Sequence, residues 1–279
     1  MTKRTPASEP RWETELVHLS GTRLRVGRRG SGPPLLLLMG IGGNLEMWGS
    51  FASRMTGHRL IAFDAPGTGG SGIGRPRRMA ALADLTSELL DELGYLTVDV
   101  LGYSFGGALA QELAHRHPDR VRRLVLGATM CGIGGIPARP PVYWHMAHPL
   151  RYHSERYLRW VSPRVYGGRA RALAAGGEDQ LRARLHAPPG MLGYLSQLAT
   201  IWGWSSLPWL HRLQMPTLVL AGDDDPLIPL ANARLLAWRI PHARLHVIRG
   251  GGHLFLLDQP EDVMGEVRGF LADPTAKAL

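Results

Sequence analysis

Short, uninterrupted apolar runs separated by helix-length amphipathic stretches recur along this chain, and they limit it to one kind of architecture. The runs lie at residues 34–39, 60–63, 98–101, 124–126, 217–220 and 245–248. Helical patterns fall between them, at 79–93, 106–117, 230–239 and 261–271. A strand that is apolar on both faces has no side to offer to water. It must be covered by helices above and below, which is the arrangement of a parallel sheet. An antiparallel hairpin of 16–19 and 24–26, turning at Gly21-Thr22, precedes these runs and brings the expected sheet to eight strands.

The alternation breaks once. Residues 131–215 carry helical patches and Gly/Pro breaks but no strand pattern. They hold five of the eight tryptophans (Trp144, Trp160, Trp202, Trp204, Trp209) and five of the seven tyrosines. The chain therefore reads as a core of residues 1–130 and 216–279 with a helical lid, 131–215, inserted after the sixth strand. The inserted aromatics have two readings. They glue the insertion to the core, or they line a substrate channel together with Met146, Met191 and Leu192.

Composition excludes several function classes. A single cysteine, Cys131, rules out an intramolecular disulfide, and no Cys/His or H-E-x-x-H spacing suggests a metal. No cofactor is implied. The formal net charge of +9 comes almost wholly from scattered arginines, with no basic helix or RNA-binding motif, so no nucleic-acid partner is expected. No apolar run approaches the ~20 residues of a membrane span. The polar start of the chain lacks a signal-peptide pattern, which makes a cytoplasmic location the expectation.

The chemistry is concentrated in Gly102-Tyr103-Ser104-Phe105-Gly106. This G-x-S-x-G lies between an apolar strand and an amphipathic helix, the context of a nucleophile elbow in the α/β-hydrolase fold. A serine hydroxyl needs a base, and that fold supplies its acid and its histidine after late strands, in that order. The run 217–220 leads to Asp223-Asp224-Asp225-Pro226, and the run 245–248 leads to Gly250-Gly251-Gly252-His253. Of twelve histidines only His253 follows the last strand on a glycine-rich loop. Asp225 is favoured over Asp224, because Pro226 fixes the turn beside it and its distance from Gly222 suits the fold. Asp223 and Asp224 read as solvated turn residues. The expected oxyanion donors are the backbone N–H of Phe105 and that of Ile41, with Gly42 as the alternative. Gly40, Asn44, Trp48 and Tyr103 are candidate substrate contacts.

One motif misleads. Residues 67–72, Gly-Thr-Gly-Gly-Ser-Gly, fit G-x-G-x-x-G after a strand. A dinucleotide site requires a helix to open there, and the chain continues Ile73-Gly74-Arg75-Pro76, which is loop.

Long stretches carry a more specific resemblance: MGIGGNLEMW (39–48), IAFDAPGTGGS (61–71), GYSFGGALAQELAH (102–115), PRVYGG (163–168), TLVLAGDDDPLIPLANARLLAWRIP (217–241) and GHLF (252–255). The chain resembles the intracellular depolymerases of medium-chain-length poly(3-hydroxyalkanoates). The resemblance implies a Ser104–Asp225–His253 triad acting on a bacterial storage polyester, at or near storage granules, and releasing 3-hydroxy acids or oligomers. Two positions depart from it. Phe105 stands where tryptophan is expected, and the loop before His253 holds an additional glycine. The rival readings are a small-molecule carboxylesterase or lipase with the same triad, an acyltransferase, and an inactive binding protein.

Overall fold

In the computed structural model, residues 12–148, 150–169, 187–258 and 260–273 are described. Eight strands form one sheet in the order β1-β2-β4-β3-β5-β6-β7-β8. They are β1 (Glu13–Leu19), β2 (Thr22–Arg29), β3 (Pro34–Leu38), β4 (Arg59–Phe63), β5 (Val98–Tyr103), β6 (Val121–Gly127), β7 (Thr217–Gly222) and β8 (Ala243–Ile248). Strand β2 pairs antiparallel with β1 and β4, and all the others pair in parallel. The hairpin turns one residue earlier than the sequence suggests. Leu19 faces Thr22, and Ser20 and Gly21 make the two-residue turn with φ of 46° and 71°. Positive φ at both positions matches the twist of the flanking strands.

The pleat divides the core in two. On β3, Leu35 and Leu37 face one layer while Leu36 and Leu38 face the other. Helices α2 (Met79–Glu92) and α3 (Phe105–Arg116) cover the second face together with α8 (Leu230–Arg239). The first face is covered by α1 (Gly49–Arg54), α9 (Phe255–Asp258) and α10 (Pro260–Ala272). Between β6 and β7 lie α4 (Pro140–Ala147), α5 (Leu150–His153), α6 (Glu155–Tyr166) and α7 (Met191–Ile201). His186 of the inserted segment falls outside the described residues, as do the first eleven residues and the last six. Among the described residues no helix is long and apolar enough to cross a membrane.

The strand order reverses at β3. The chain lays β4 on one side of it and β5 on the other. In an open α/β sheet such a reversal leaves a crevice at the carboxyl ends of the two strands. The loop after β3 and Ser104 after β5 both open there.

The glycine-rich stretch 67–72 does not begin a helix, and the next one starts at Met79. The stretch winds around Asp64 instead. That buried carboxylate accepts from Gly70 N and from Leu45 N, each at 2.8 Å, and meets Arg25 at 3.3 Å. Burial nonetheless pushes the Asp64 carboxyl above the usual carboxylate range.

The expectation of a substrate contact at Trp48 is corrected. Its side chain is 1% exposed, packs edge-to-face on Phe51 at 5.5 Å and belongs to the core. Its large ring is held by the short 3₁₀ turn Leu45–Trp48, which points it inward beneath α1. Trp48→Ala is expected to lower unfolding free energy by about 3–5 kcal/mol through the cavity it leaves. A urea titration measures this, and turnover per folded molecule should stay near that of the parent chain.

Candidate active site

The site is built from loops at the carboxyl ends of β3, β5, β7 and β8. Strand β5 is buried along its whole length and passes directly into α3 through Ser104. Ser104 has φ 56° and ψ −117°, a conformation that costs a non-glycine residue about 1–3 kcal/mol. Its neighbours permit the tight turn. A Cβ on Gly102 would collide with the Gly106 carbonyl, and one on Gly106 would collide with the Leu38 carbonyl. Strand, serine and helix therefore close up only with glycine at both places.

Three loops converge on that hydroxyl. His253 Nε2 lies 3.1 Å from Ser104 Oγ, and His253 Nδ1 lies 2.7 Å from Asp225 Oδ2. Both partners are buried, with His253 at 3% and Asp225 at 7% exposure. Asp225 Oδ1 accepts from Leu227 N at 2.8 Å and Ile228 N at 2.9 Å. These two bonds fix one carboxylate oxygen on the turn, so the other faces the imidazole. An arrangement of this kind lets the histidine take a proton from the hydroxyl while the carboxylate holds its tautomer.

Asp224 is not the freely solvated turn residue expected from the sequence. Its Oδ2 accepts from Gly168 N at 2.7 Å, and its N–H donates to Gly251 O at 2.9 Å. It ties the end of α6 to the histidine loop. His253 N also donates to Tyr166 O at 2.6 Å, and Tyr103 Oη donates to His253 O at 2.7 Å. The run Gly250–Gly252, with its additional glycine, packs against Gly167 and Gly168, and no Cβ fits between the two segments at Gly252. The sequence offered one hint of this contact, the glycine pair that ends PRVYGG.

Gly40 lies against Ser104, where an added Cβ would stand 3.2 Å from the Ser104 Cβ. Gly40 and Tyr103 both line a small cavity of about 30 Å³ that contains Ser104 and His253. Asn44 does not line it. Its Oδ1 accepts from Met47 N and its Nδ2 donates to Ala187 O, so it caps a helical turn and braces the inserted segment. Of the two oxyanion alternatives after β3, Gly42 N donates to Gln197 Oε1 at 2.7 Å. Ile41 lines both the small cavity and a larger neighbour, and Phe105 opens α3 beside Ser104.

The larger cavity, about 310 Å³, has Ser104 in its wall. The rest of the wall is mostly apolar, with Phe105, Met130, Met146, Leu198, Ile201 and Ile228 prominent. The inserted aromatics divide three ways. Tyr143 and Tyr194 line this cavity. Trp204 and Trp209 bind the insertion to α3, through Glu112 Oε2 at 2.8 Å and by stacking on His115 at 4.2 Å. Trp144, Trp160 and Trp202 are exposed at the surface. Met146 lines both cavities, whereas Met191 and Leu192 face outward.

Arg151 went unnoticed in the sequence, where it is one of 32 basic residues. It is fully buried on the wall of the small cavity, and donates to Tyr166 Oη and Tyr194 Oη at 3.0 Å each.

A family model described as the alpha/beta hydrolase family matches residues 35–266. The chain is 45% identical over 272 residues to the poly(3-hydroxyalkanoate) depolymerase of Ectopseudomonas oleovorans, covering 94% of each chain. It is 32% identical to the 2-hydroxymuconate semialdehyde hydrolase of Pseudomonas putida, over 97% of this chain and 98% of that one. Among solved structures, a hydrolase from Pseudomonas aeruginosa PA01 aligns with a TM-score of 0.78 at 27% identity, covering 94% of this chain and 99% of that one.

The two adjacent aspartates should separate cleanly by mutation. Asp225→Asn is expected to lower kcat for a p-nitrophenyl ester by ~10⁴, because the amide favours the wrong histidine tautomer. Asp224→Ala should keep kcat within an order of magnitude while removing about 1–3 kcal/mol of stability with the lost acceptor for Gly168. Steady-state kinetics and thermal unfolding of both variants provide the comparison, and equal kinetic losses would move the acid role to Asp224.

Proposed function

The chain belongs to the alpha/beta hydrolase family, and from that premise we propose that it is a serine hydrolase that cleaves medium-chain-length poly(3-hydroxyalkanoate) at its ester bonds. The observation that carries this reading is the apolar cavity of about 310 Å³ with Ser104 in its wall. Such a cavity suits the alkyl side chain of a 3-hydroxyacyl unit and offers little to a polar substrate. The 45% identity to a poly(3-hydroxyalkanoate) depolymerase supports the same substrate class.

Ser104 Oγ attacks the ester carbonyl as His253 Nε2 takes its proton. The tetrahedral oxyanion is held by the N–H groups of Phe105 and Ile41. His253 then protonates the departing alcohol oxygen, which leaves the 3-hydroxyacyl group as an ester on Ser104. Water, deprotonated by His253, attacks that ester and releases a 3-hydroxy acid or an oligomer. Asp225 stabilises the imidazolium in both halves of the cycle.

Residues 131–215 act as the lid of the site, and the core comprises the rest of the chain. The lid provides the cavity wall from Tyr143, Met146, Tyr194, Leu198 and Ile201. Its outer surface carries Trp144 at 73% exposure and Trp202 at 88%. Exposed indole rings of this kind bind an apolar solid, so the enzyme works at the surface of polyester granules in the cytoplasm.

Ser104→Ala is expected to abolish hydrolysis, by ~10⁴ or more, with the fold retained. Across p-nitrophenyl esters from acetyl to octanoyl, kcat/KM should rise, since the acyl chain gains six methylenes and each one that is buried contributes about 0.8 kcal/mol. Acid release from a medium-chain polyester suspension should exceed that from polyhydroxybutyrate. A preference for acetyl esters with neither polymer attacked would reassign the protein as a small-ester hydrolase.

A further inference from the structure

We infer that Gln197, on the inserted helix α7, is a positioning residue that sets the oxyanion-binding turn beside Ser104. This rests on the serine-hydrolase reading above and adds to it a residue from outside the triad and its two backbone donors.

The turn after β3 runs from Gly40 to Gly43, closed by Gly43 N donating to Gly40 O at 3.0 Å. Gly42 occupies its third position with φ 68°, as a type II turn requires. Type I and type II turns differ by a flip of their central peptide, here the one joining Ile41 to Gly42. The N–H of that peptide donates to Gln197 Oε1 at 2.7 Å, and the Gln197 side chain is only 4% exposed. A buried acceptor at that distance favours one orientation of the peptide over the other. Its loss would leave a buried donor unsatisfied and release the flip. Gly40, the first residue of the turn, lies so near Ser104 that an added Cβ would stand 3.2 Å from the Ser104 Cβ, so movement of the turn is felt at the nucleophile. The Gly42 N–H is thereby directed to the lid.

Helix α7 is itself seated on the core at further points. Thr200 Oγ1 donates to Arg77 O at 2.8 Å. Gly193 lies against the backbone of Gly67 so closely that no Cβ fits on either residue. Leu198 and Ile201 of the same helix form part of the acyl cavity wall. One helix thus carries both the surface that binds the acyl chain and the amide that orients the oxyanion turn. Correct seating of α7 is transmitted to the place where charge develops. A residue acting this way serves the transition state more than the ground state, and its removal should appear in kcat.

The test compares Gln197→Met and Gln197→Leu, which lack the acceptor, with Gln197→Glu, which retains one. Three readouts are taken: kinetics on p-nitrophenyl octanoate, inhibition by an aliphatic trifluoromethyl ketone, and thermal unfolding. The ketone adds to Ser104 Oγ and places an oxyanion where the tetrahedral intermediate has one. Met and Leu variants should lose on the order of 10–10²-fold in kcat, with KM nearly unchanged. Ketone affinity should fall by a similar factor, and Gln197→Glu should recover most of both. Parent-like kcat and ketone affinity in the Met and Leu variants would overturn the assignment. So would a loss confined to KM, or one that follows thermal unfolding and is not recovered by Glu. If instead the parent chain failed to hydrolyse any ester, or Ser104→Ala remained active, the hydrolase reading would fall and this one with it.

Discussion

Everything at the site depends on a single strained residue. Ser104 is held at positive φ because β5 and α3, both buried, are packed too closely to be joined in any relaxed way. The strain is of the order of 1–3 kcal/mol and persists only because the surrounding structure over-determines it. Gly102 and Gly106 make that closeness possible, since a methyl group at either would meet backbone. In return the hydroxyl stands clear of the sheet at the N-terminus of α3, where the helix dipole favours negative charge. The reversal of strand order at β3 places the glycine turn 40–43 against the same residue.

The second requirement is a histidine that cannot drift. His253 sits on a loop of three glycines and one imidazole, a segment with little rigidity of its own. Its backbone is held by Tyr166 O on one side and Tyr103 Oη on the other, and its ring by Asp225. Two of these three partners belong to the core, and the third comes from the inserted helices. Asp224, beside the acid, adds its own bond to Gly168. The inserted segment is thus fastened to the histidine loop at the end of α6 and to the glycine turn 40–43 through Gln197. The wall of the apolar cavity and the loops of the proposed triad share the same supports, which couples the shape of that cavity to the geometry of the triad.

The insertion also shows how one composition serves three ends. Its aromatic residues are divided among cavity wall, glue to α3 and outer surface. The buried ones have polar tips that find partners, as Tyr166 and Tyr194 do in accepting from Arg151. Trp160 is half-exposed and packs against His145, Tyr157 and Arg164, whereas Trp144 and Trp202 stand mostly in solvent, and the proposed action on a solid, apolar substrate gives these two a use.

The sequence alone determined the eight strands, four of the helices that cover them, and the residues that meet at Ser104. Continuous apolar runs can only be strands covered on both faces, and G-x-S-x-G between strand and helix has a narrow set of geometric solutions. The choice of Asp225 followed from its spacing after Gly222, which suits the fold, and from Pro226, which acts on its immediate neighbour. Tertiary structure decided whatever depended on contacts between distant segments. Trp48 looked like a substrate contact and is core, since nothing local tells which way a ring at the end of a short 3₁₀ turn will point. Asn44 looked the same and is a cap. Asp224 looked solvated until α6 returned to meet it. Gln197, separated from Gly42 by 155 residues, carried no pattern that periodicity or spacing detects. A hydrogen bond to backbone can be made by many residue types from many directions, so it leaves no signature in the sequence, whereas burial and turn geometry do.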